Sequence, residues 1–408
     1  MWGKRQPVVT QLRENCFVIG RAALDLSLRA LGVLNPLPLF NGKKSSRQSI
    51  VFQSFSTHLA QCYEPIISRL RSQYPEINLQ FMILLHPHVP LSEIRKLRRY
   101  AREELKIPDS NLFYYWSRVW SAFDLLVCGD IFAHFPLRRT RTVLLPHGTG
   151  LMPRMFEPHP LRKSMLDFDR IILAGSYDVD AVREHPTASH ILPRVVAAGF
   201  PFLDRLKKPR LSRDQYFDRL GLDRKKPVVL FAPHWTALRA SGAIPYVKSV
   251  VSALLPLDAN FVLKLHACSF YPAMAQHVAW RPIVDELARD RRVHVDEDMD
   301  DLLALSYADV LVTDFSSRAF VFIALEKPVV LHAPDGADPV EESGDRMALM
   351  KSASYVARSS SEVAELATRL LRDPAVPQAS GSVSERCFAN LGQATQPVTD
   401  LLKQELAK

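Results

Sequence analysis

Four of the chain's thirteen histidines directly follow short runs rich in β-branched and apolar residues. His147 follows Val143 to Leu145, His234 follows Val228 to Ala232, His266 follows Asn260 to Leu265, and His332 follows Val329 to Leu331. In open α/β sheets ligands collect at the carboxyl ends of strands, so these positions predict one shared cleft between two lobes. An imidazole titrates near neutrality and suits removal of a hydroxyl proton. His147 lies in Leu-Leu-Pro-His-Gly-Thr-Gly, where Gly148 and Gly150 let the backbone turn sharply and approach a ligand. It is the candidate general base. The same residues also fit a tight turn in which the glycines serve geometry and His147 only hydrogen-bonds locally.

Two further constellations suit phosphate. The run from Ala308 to Ser317 is an apolar strand leading into Asp314, Ser316, Ser317 and then a helix, where unpaired amides and two hydroxyls can hold an anion. Ser316 equally fits a plain helix cap. Lys264 and His266 stand two apart, on one face of a strand, and could meet one phosphoryl group unless Lys264 merely lies in an ion pair. Asp296, Asp298, Asp300 and Asp301 invite a metal reading, but acidic residues between two strands form a solvated connection, with Asp300 placed to cap the following helix. No lysine-bearing phosphate loop and no G-x-G-x-x-G occurs, which argues against ATP-driven and ordinary NAD chemistry.

Positioning these residues takes more than one domain. With 408 residues, 47 % hydrophobic and 23 % charged, the chain is long enough for two or three domains with real cores. Strand-like runs alternate with helical patterns throughout, which predicts α/β architecture with two doubly wound parallel sheets. The predicted strands are Ile50 to Phe55, Leu79 to Leu85, Leu125 to Cys128, Val143 to Leu145, Arg170 to Ala174 and Val195 to Ala198. A second series has Val228 to Ala232, Asn260 to Leu265, Val293 to Val295, Val310 to Thr313 and Val329 to Leu331. The expected division is a helical arm over 1–44, a first lobe over 45–205, a linker with one helix over 206–226, a second lobe over 227–380 and a C-terminal helix over 381–408. A helix capped by Ser92 should bury Ile94, Leu97 and Ala101 and expose Arg95, Lys96, Arg98, Arg99 and Arg102.

Charge is divided unevenly. Residues 1–226 hold 35 Lys and Arg against 20 Asp and Glu, whereas residues 227–408 hold 17 against 23. The first lobe is therefore expected to face a polyanion. No helix-turn-helix, zinc-finger or RNA-binding signature accompanies its basic runs, including Arg138 to Arg141, so nucleic acid is not the expected partner. Five scattered cysteines without C-x-x-C spacing suggest neither disulfides nor zinc and fit a reducing cytosol. Arg21, Asp25 and Arg29 interrupt the most apolar N-terminal segment, so no membrane span is expected there. It reads instead as a helix from Cys16 to Leu34, lying against the protein body or along a membrane surface.

Taken in order, the motifs resemble the CDP-glycerol glycerophosphotransferase family, cytosolic GT-B enzymes that build teichoic-acid-like and capsular polymers. The resemblance runs from Ile50 to Leu402 through Val51-Phe52-Gln53-Ser54-Phe55, His147-Gly148-Thr149, Ala198-Gly199-Phe200-Pro201-Phe202-Leu203-Asp204, Phe231-Ala232-Pro233, Leu263-Lys264-Leu265-His266, Ala308 to Ser317, and Lys327-Pro328-Val329. It implies attack by an acceptor hydroxyl on the β-phosphorus of a CDP-alditol, with CMP leaving. His147 and His266 are then catalytic, and Gly148, Thr149, His234, Lys264, Thr313, Asp314, Ser316 and Ser317 hold the donor. It further implies no cofactor or metal, a lipid-linked or polysaccharide acceptor, and a peripheral place on the cytoplasmic face of an anionic membrane. The chain departs from the family pattern at Pro146, at Gly150 to Met152, and at Phe202, Thr236 and Val321. A nucleotide-sugar glycosyltransferase and a non-catalytic nucleotide-binding scaffold are the alternative readings.

Overall fold

The computed structural model describes residues 48–408 except 87, 118–120, 137–138, 152–154, 158–162, 236, 238–241, 276–277, 299 and 334–343. The expected N-terminal arm and its helix lie outside these residues, as do Arg138, Met152 and Thr236.

Two parallel sheets form. The first contains β1 (Ser49–Ser54), β2 (Asn78–Ile83), β3 (Leu112–Tyr114), β4 (Leu125–Cys128), β5 (Arg141–Leu144), β6 (Arg170–Leu173) and β7 (Val195–Ala197), in the order β3-β2-β1-β4-β5-β6-β7. The second contains β8 (Val228–Phe231), β9 (Asn260–Leu263), β10 (Val293–Val295), β11 (Val310–Thr313), β12 (Val329–His332) and β13 (Tyr355–Ala357), ordered β10-β9-β8-β11-β12-β13. Central strands are buried on both faces, as in β1, β8, β9 and β11, because crossover helices cover both sides of a parallel sheet. Strand order reverses between β1 and β4 in one sheet and between β8 and β11 in the other. Those two switch points are where a doubly wound sheet opens a crevice.

Several expectations are corrected. The helix Leu91–Glu103 begins after Pro90, with no side-chain cap, and Ser92 lies inside its first turn. Its packing is otherwise as expected: Ile94, Leu97 and Ala101 are buried, Arg95, Lys96, Arg99 and Arg102 are exposed, and Arg98 is half-buried. The stretch after Asp204 holds the expected helix, Arg213–Leu220, which buries Tyr216 and Phe217 in the core of the second lobe.

The chain ends in two helices rather than one, Ser380–Cys387 and Thr395–Leu406. The last returns to the first lobe. Its Val398, Leu402 and Leu406 join the core containing Ile50, Phe52 and Leu125, each contributing about 1.5 to 3 kcal/mol by burial. Asp204 anchors this crossing by accepting bonds from the amides of Ala394 (3.0 Å) and Thr395 (2.7 Å).

The acidic stretch is not solvated either. Asp296 and Asp300 are buried, because Arg205, Arg219, Lys264 and the Tyr216 hydroxyl pair with them. Asp300 does cap the helix Asp301–Tyr307, accepting from the Leu302 amide. Arg205 also reaches Glu64 in the first lobe at 3.5 Å, so one guanidinium ties the two lobes together.

Candidate active site

His147 stands just past β5, and its ring is fixed from behind. Its Nδ1 lies 2.9 Å from the carbonyl of Gly129 and 3.9 Å from Oδ2 of Asp130. A carbonyl only accepts, so Nδ1 carries the proton, and the lone pair of the neutral ring sits on Nε2. With its side chain 41 % exposed, that nitrogen can be reached from the crevice.

The loop behind it is held by a residue that sequence reasoning missed. Asp178, buried in the helix Ser176–Glu184, accepts from the Thr149 hydroxyl at 3.0 Å, the Gly150 amide at 2.8 Å and the Leu151 amide at 3.1 Å. Burial pushes its carboxyl up to about 6 against the lowering effect of these bonds. The hydroxyl of Thr149 is therefore spent inside the loop, against its expected role as a donor ligand. Gly150 has φ +89°, and any β-carbon there would strike Arg346.

His266 supplies the opposite function from the second lobe. It caps the short turn Ala267–Phe270, its Nδ1 accepting from the Cys268 amide at 3.1 Å. The proton of its neutral ring consequently sits on Nε2, which can donate into the crevice. Burial first, then the nearby Arg318, hold its pKa well below the usual histidine range.

Between these two rings stands His58, also missed. Its centroid lies 6.2 Å from that of His147 and 6.3 Å from that of His266, edge-on to both. Burial lowers its pKa to about 4, so near neutral pH it is uncharged. It sits at the start of the helix Thr57–Gln73, four residues past β1, and so at the same sheet edge as the others. Phe202 packs edge-on to its ring at 6.0 Å.

His234 joins the group through Trp235, which lies 6.4 Å from His266. His332 does not. It is buried and stacked parallel on Tyr246 with centroids 5.1 Å apart, so the expected set of four reduces to three plus His58.

The expected phosphate ligands divide in the same way. Strand β9 stops at Leu263, so Lys264 and His266 do not share a strand face. The Lys264 ammonium turns inward and, buried, pairs with Asp296 (3.3 Å) and Asp301 (3.7 Å). Thr313 donates to the Ala232 carbonyl at 2.7 Å, and Asp314 accepts from the His234 amide at 2.8 Å; both therefore brace the strand ends. Burial raises the Asp314 carboxyl to about 7. Ser316 is buried and accepts from the Arg318 amide, whereas Ser317 is exposed at the start of the helix Arg318–Ala324 and makes no capping bond.

Arg318, a further missed residue, extends its guanidinium onto Asp301 with contacts of 2.9 to 3.1 Å. This cation holds the Asp301 carboxyl far below the ordinary range despite its burial, with Lys264 adding to the effect. Val321 is half-buried against the core of the second lobe. Among the described residues, no group of three or more His, Cys, Asp or Glu is arranged to hold a metal ion. No helix among them is long and apolar enough to cross a membrane.

Comparison with known proteins gives three findings. A family model described as CDP-Glycerol:Poly(glycerophosphate) glycerophosphotransferase matches residues 169–402, more than half of the chain. A teichoic acid poly(glycerol phosphate) polymerase of Bacillus spizizenii is 26 % identical over 197 residues, 46 % of each chain. A teichoic acid glycerol-phosphate primase of the same organism is 24 % identical over 176 residues, 43 % of this chain and 42 % of the relative. The matched stretch thus spans less than half the length of either curated relative. The solved wall teichoic acid polymerase TagF superimposes with a TM-score of 0.61 at 16 % identity over 98 % of both chains, which shows a common two-lobed GT-B fold.

Proposed function

Because the chain belongs to the CDP-glycerol:poly(glycerophosphate) glycerophosphotransferase family, we propose that it transfers glycerol phosphate or ribitol phosphate from a CDP-alditol to an acceptor hydroxyl in cell-surface polymer synthesis. The observation that carries the reading is the Nδ1 contact of His147 with the Gly129 carbonyl, which leaves Nε2 as a base toward the crevice. In this reading Nε2 takes the proton of the acceptor hydroxyl as its oxygen attacks the β-phosphorus. A new phosphorus–oxygen bond forms, the bond to the bridging oxygen breaks, and CMP departs with the bond's electrons.

Neutral imidazole is the form of His266 that donates through Nε2, and its lowered pKa keeps it so while it faces the pyrophosphate. Ser317, the amides at the start of its helix and the Arg318 guanidinium offset the developing charge. With charge handled by these groups, the reading calls for no metal. The braced residues Thr149, His234, Lys264, Thr313 and Asp314 act by shaping this surface, and Gly148, whose α-carbon faces open space, lets the donor approach the backbone. The acceptor is lipid-linked or polysaccharide, and the exposed basic side chains Arg95, Lys96, Arg99 and Arg102 turn the first lobe toward an anionic membrane surface on its cytoplasmic face.

The test is CMP release from CDP-glycerol or CDP-ribitol with a lipid-linked acceptor in the presence of EDTA. A thermal-shift panel of CDP, UDP and GDP ligands separates this reading from a nucleotide-sugar transferase. Stabilisation by UDP or GDP ligands alone, or CDP binding without turnover on any acceptor, overturns it.

A further inference from the structure

A row of rings that the reaction above does not use lines the same edge of the first sheet. Phe55 follows β1, His86 and His88 follow β2, Tyr115 follows β3, and Phe132 and His134 follow β4. Since the sheet runs β3-β2-β1-β4-β5, the strands that carry the row adjoin β5, whose end bears His147. The rings touch in sequence. His86 lies 4.0 Å from Phe132 and 4.9 Å from Phe55, His88 lies 5.5 Å from His86, and His134 stacks on Tyr115 at 5.1 Å.

Rings that only fill a core are apolar and fully buried. Here three of the six are imidazoles, Phe55, Phe132 and His134 are half-buried, and His88 is exposed. The row is also held rigidly. The buried amide of Gln53 donates to the His134 carbonyl at 2.8 Å and accepts from its amide at 3.0 Å. Asp130 accepts from the Phe132 amide at 2.8 Å through Oδ1 while its Oδ2 faces His147, so one carboxylate sets the spacing between the base and the row.

We propose that this row is a carbohydrate subsite, which stacks a pyranose of the acceptor next to the hydroxyl that His147 activates. Its occupant as an acceptor rests on the transferase reading above. A pyranose offers a face of C–H groups to aromatic rings and equatorial hydroxyls to imidazoles, which donate and accept. A plain polyol-phosphate chain has no such face and would call for cations, and the six side chains include no Lys or Arg. Burial and the nearby Lys163 lower the pKa of His134, so this ring offers a phosphate no charge at neutral pH. The subsite therefore favours an acceptor that ends in, or carries next to its end, a sugar.

Saturation-transfer NMR on the full chain, with methyl glycopyranosides and a glycerol phosphate trimer as probes, tests this directly. Pyranoside ring protons are expected to receive saturation that falls at least about fivefold in Phe132→Leu and persists in Phe132→Tyr, in line with the energy of one stacking contact. CDP-glycerol stabilisation, unchanged in both variants, serves as the folding control. Saturation that is unchanged in Phe132→Leu, or a trimer that binds where no pyranoside does, overturns the subsite. CMP release is expected to be faster with a sugar-ended acceptor than with a glycerol-phosphate-ended one. Phe132-dependent pyranoside binding without CMP release on any acceptor sinks the transferase reading and leaves the subsite standing. Release only with the glycerol-phosphate end, insensitive to Phe132, does the reverse.

Discussion

The two edges that meet at the crevice solve opposite electrostatic problems. On the first lobe the edge is nearly neutral: His147 is aimed by a carbonyl, its loop hangs on one buried carboxyl, and rings continue outward from it. On the second lobe the edge is dense with charge, yet that charge is largely compensated internally. Asp301 takes Arg318 and Lys264, and Asp296 takes Lys264 and Arg219. On the proposed reading, the surface that meets the pyrophosphate presents oriented donors on a pre-paired scaffold. Bare ammonium groups would collapse onto the carboxylates beside them. The lesson is that a buried cation at such an edge can act by fixing geometry, as Lys264 does through Asp296 and Asp301.

Breaking each edge at its anchor should give different signatures. His147→Ala removes the proposed base, and kcat is expected to fall about 10²- to 10⁴-fold while CDP-glycerol affinity stays within twofold, read by CMP release and by titration. A similar kcat in the variant would remove His147 from the chemistry. On the charged edge the loss should appear first as stability. Asp301→Ala leaves Arg318 buried without its partner and is expected to cost about 3 to 5 kcal/mol in urea unfolding. Because the folded pKa of Asp301 is depressed, its contribution is complete above the unfolded carboxylate value near 4. It is lost as pH falls below that, so variant and wild type should converge in acid.

Asp178 gives a smaller and reversed effect. Asp178→Ala strands three loop donors and is expected to cost about 1 to 3 kcal/mol for the buried ones, with kcat falling alongside. Asp178→Asn keeps a carbonyl acceptor and should retain more of both. Here the folded pKa of about 6 lies above the ordinary aspartate value of 3.8, so the folded state prefers the proton and wild-type stability declines as pH rises between these values. Asp178→Asn should flatten that decline. An unchanged slope would assign the pH dependence elsewhere.

Much of the fold was legible because a strand covered on both faces reads as a continuous apolar run, and β4, β8 and β11 fall where those runs lie. Edge strands of three residues leave a weak pattern: β7 and β10 could be read, whereas β3 and β13 could not. His147, His266 and Ser317 were legible because they stand in loops immediately after strands. His58 was not, since it lies inside a helix, and Arg318 was hidden as the first helical residue behind two serines that drew attention. Partners distant in the chain leave no local trace: nothing near Asp204 announces that it anchors a helix 190 residues later. Lys264 misled because a spacing of two implies one face only while the strand continues, and β9 ends at Leu263.

The smallest expected effect tests whether the two edges communicate through His58. The folded state holds this ring neutral down to about pH 4, while an exposed histidine charges near 6.5. Between these values the unfolded chain binds more protons, so the contribution of His58 to stability is complete above about 6.5 and declines as pH falls toward 4. His58→Gln keeps hydrogen-bonding capacity without titrating, and should lower the dependence of thermal stability on pH across that window. Its effect on turnover should be modest at pH 8 and grow only as pH approaches 4, where protonation of the wild-type ring places a positive charge 6.2 Å from the His147 ring. An identical pH dependence of thermal stability in wild type and His58→Gln would show that this ring does not titrate in that window and serves only to pack the seam between His147 and His266.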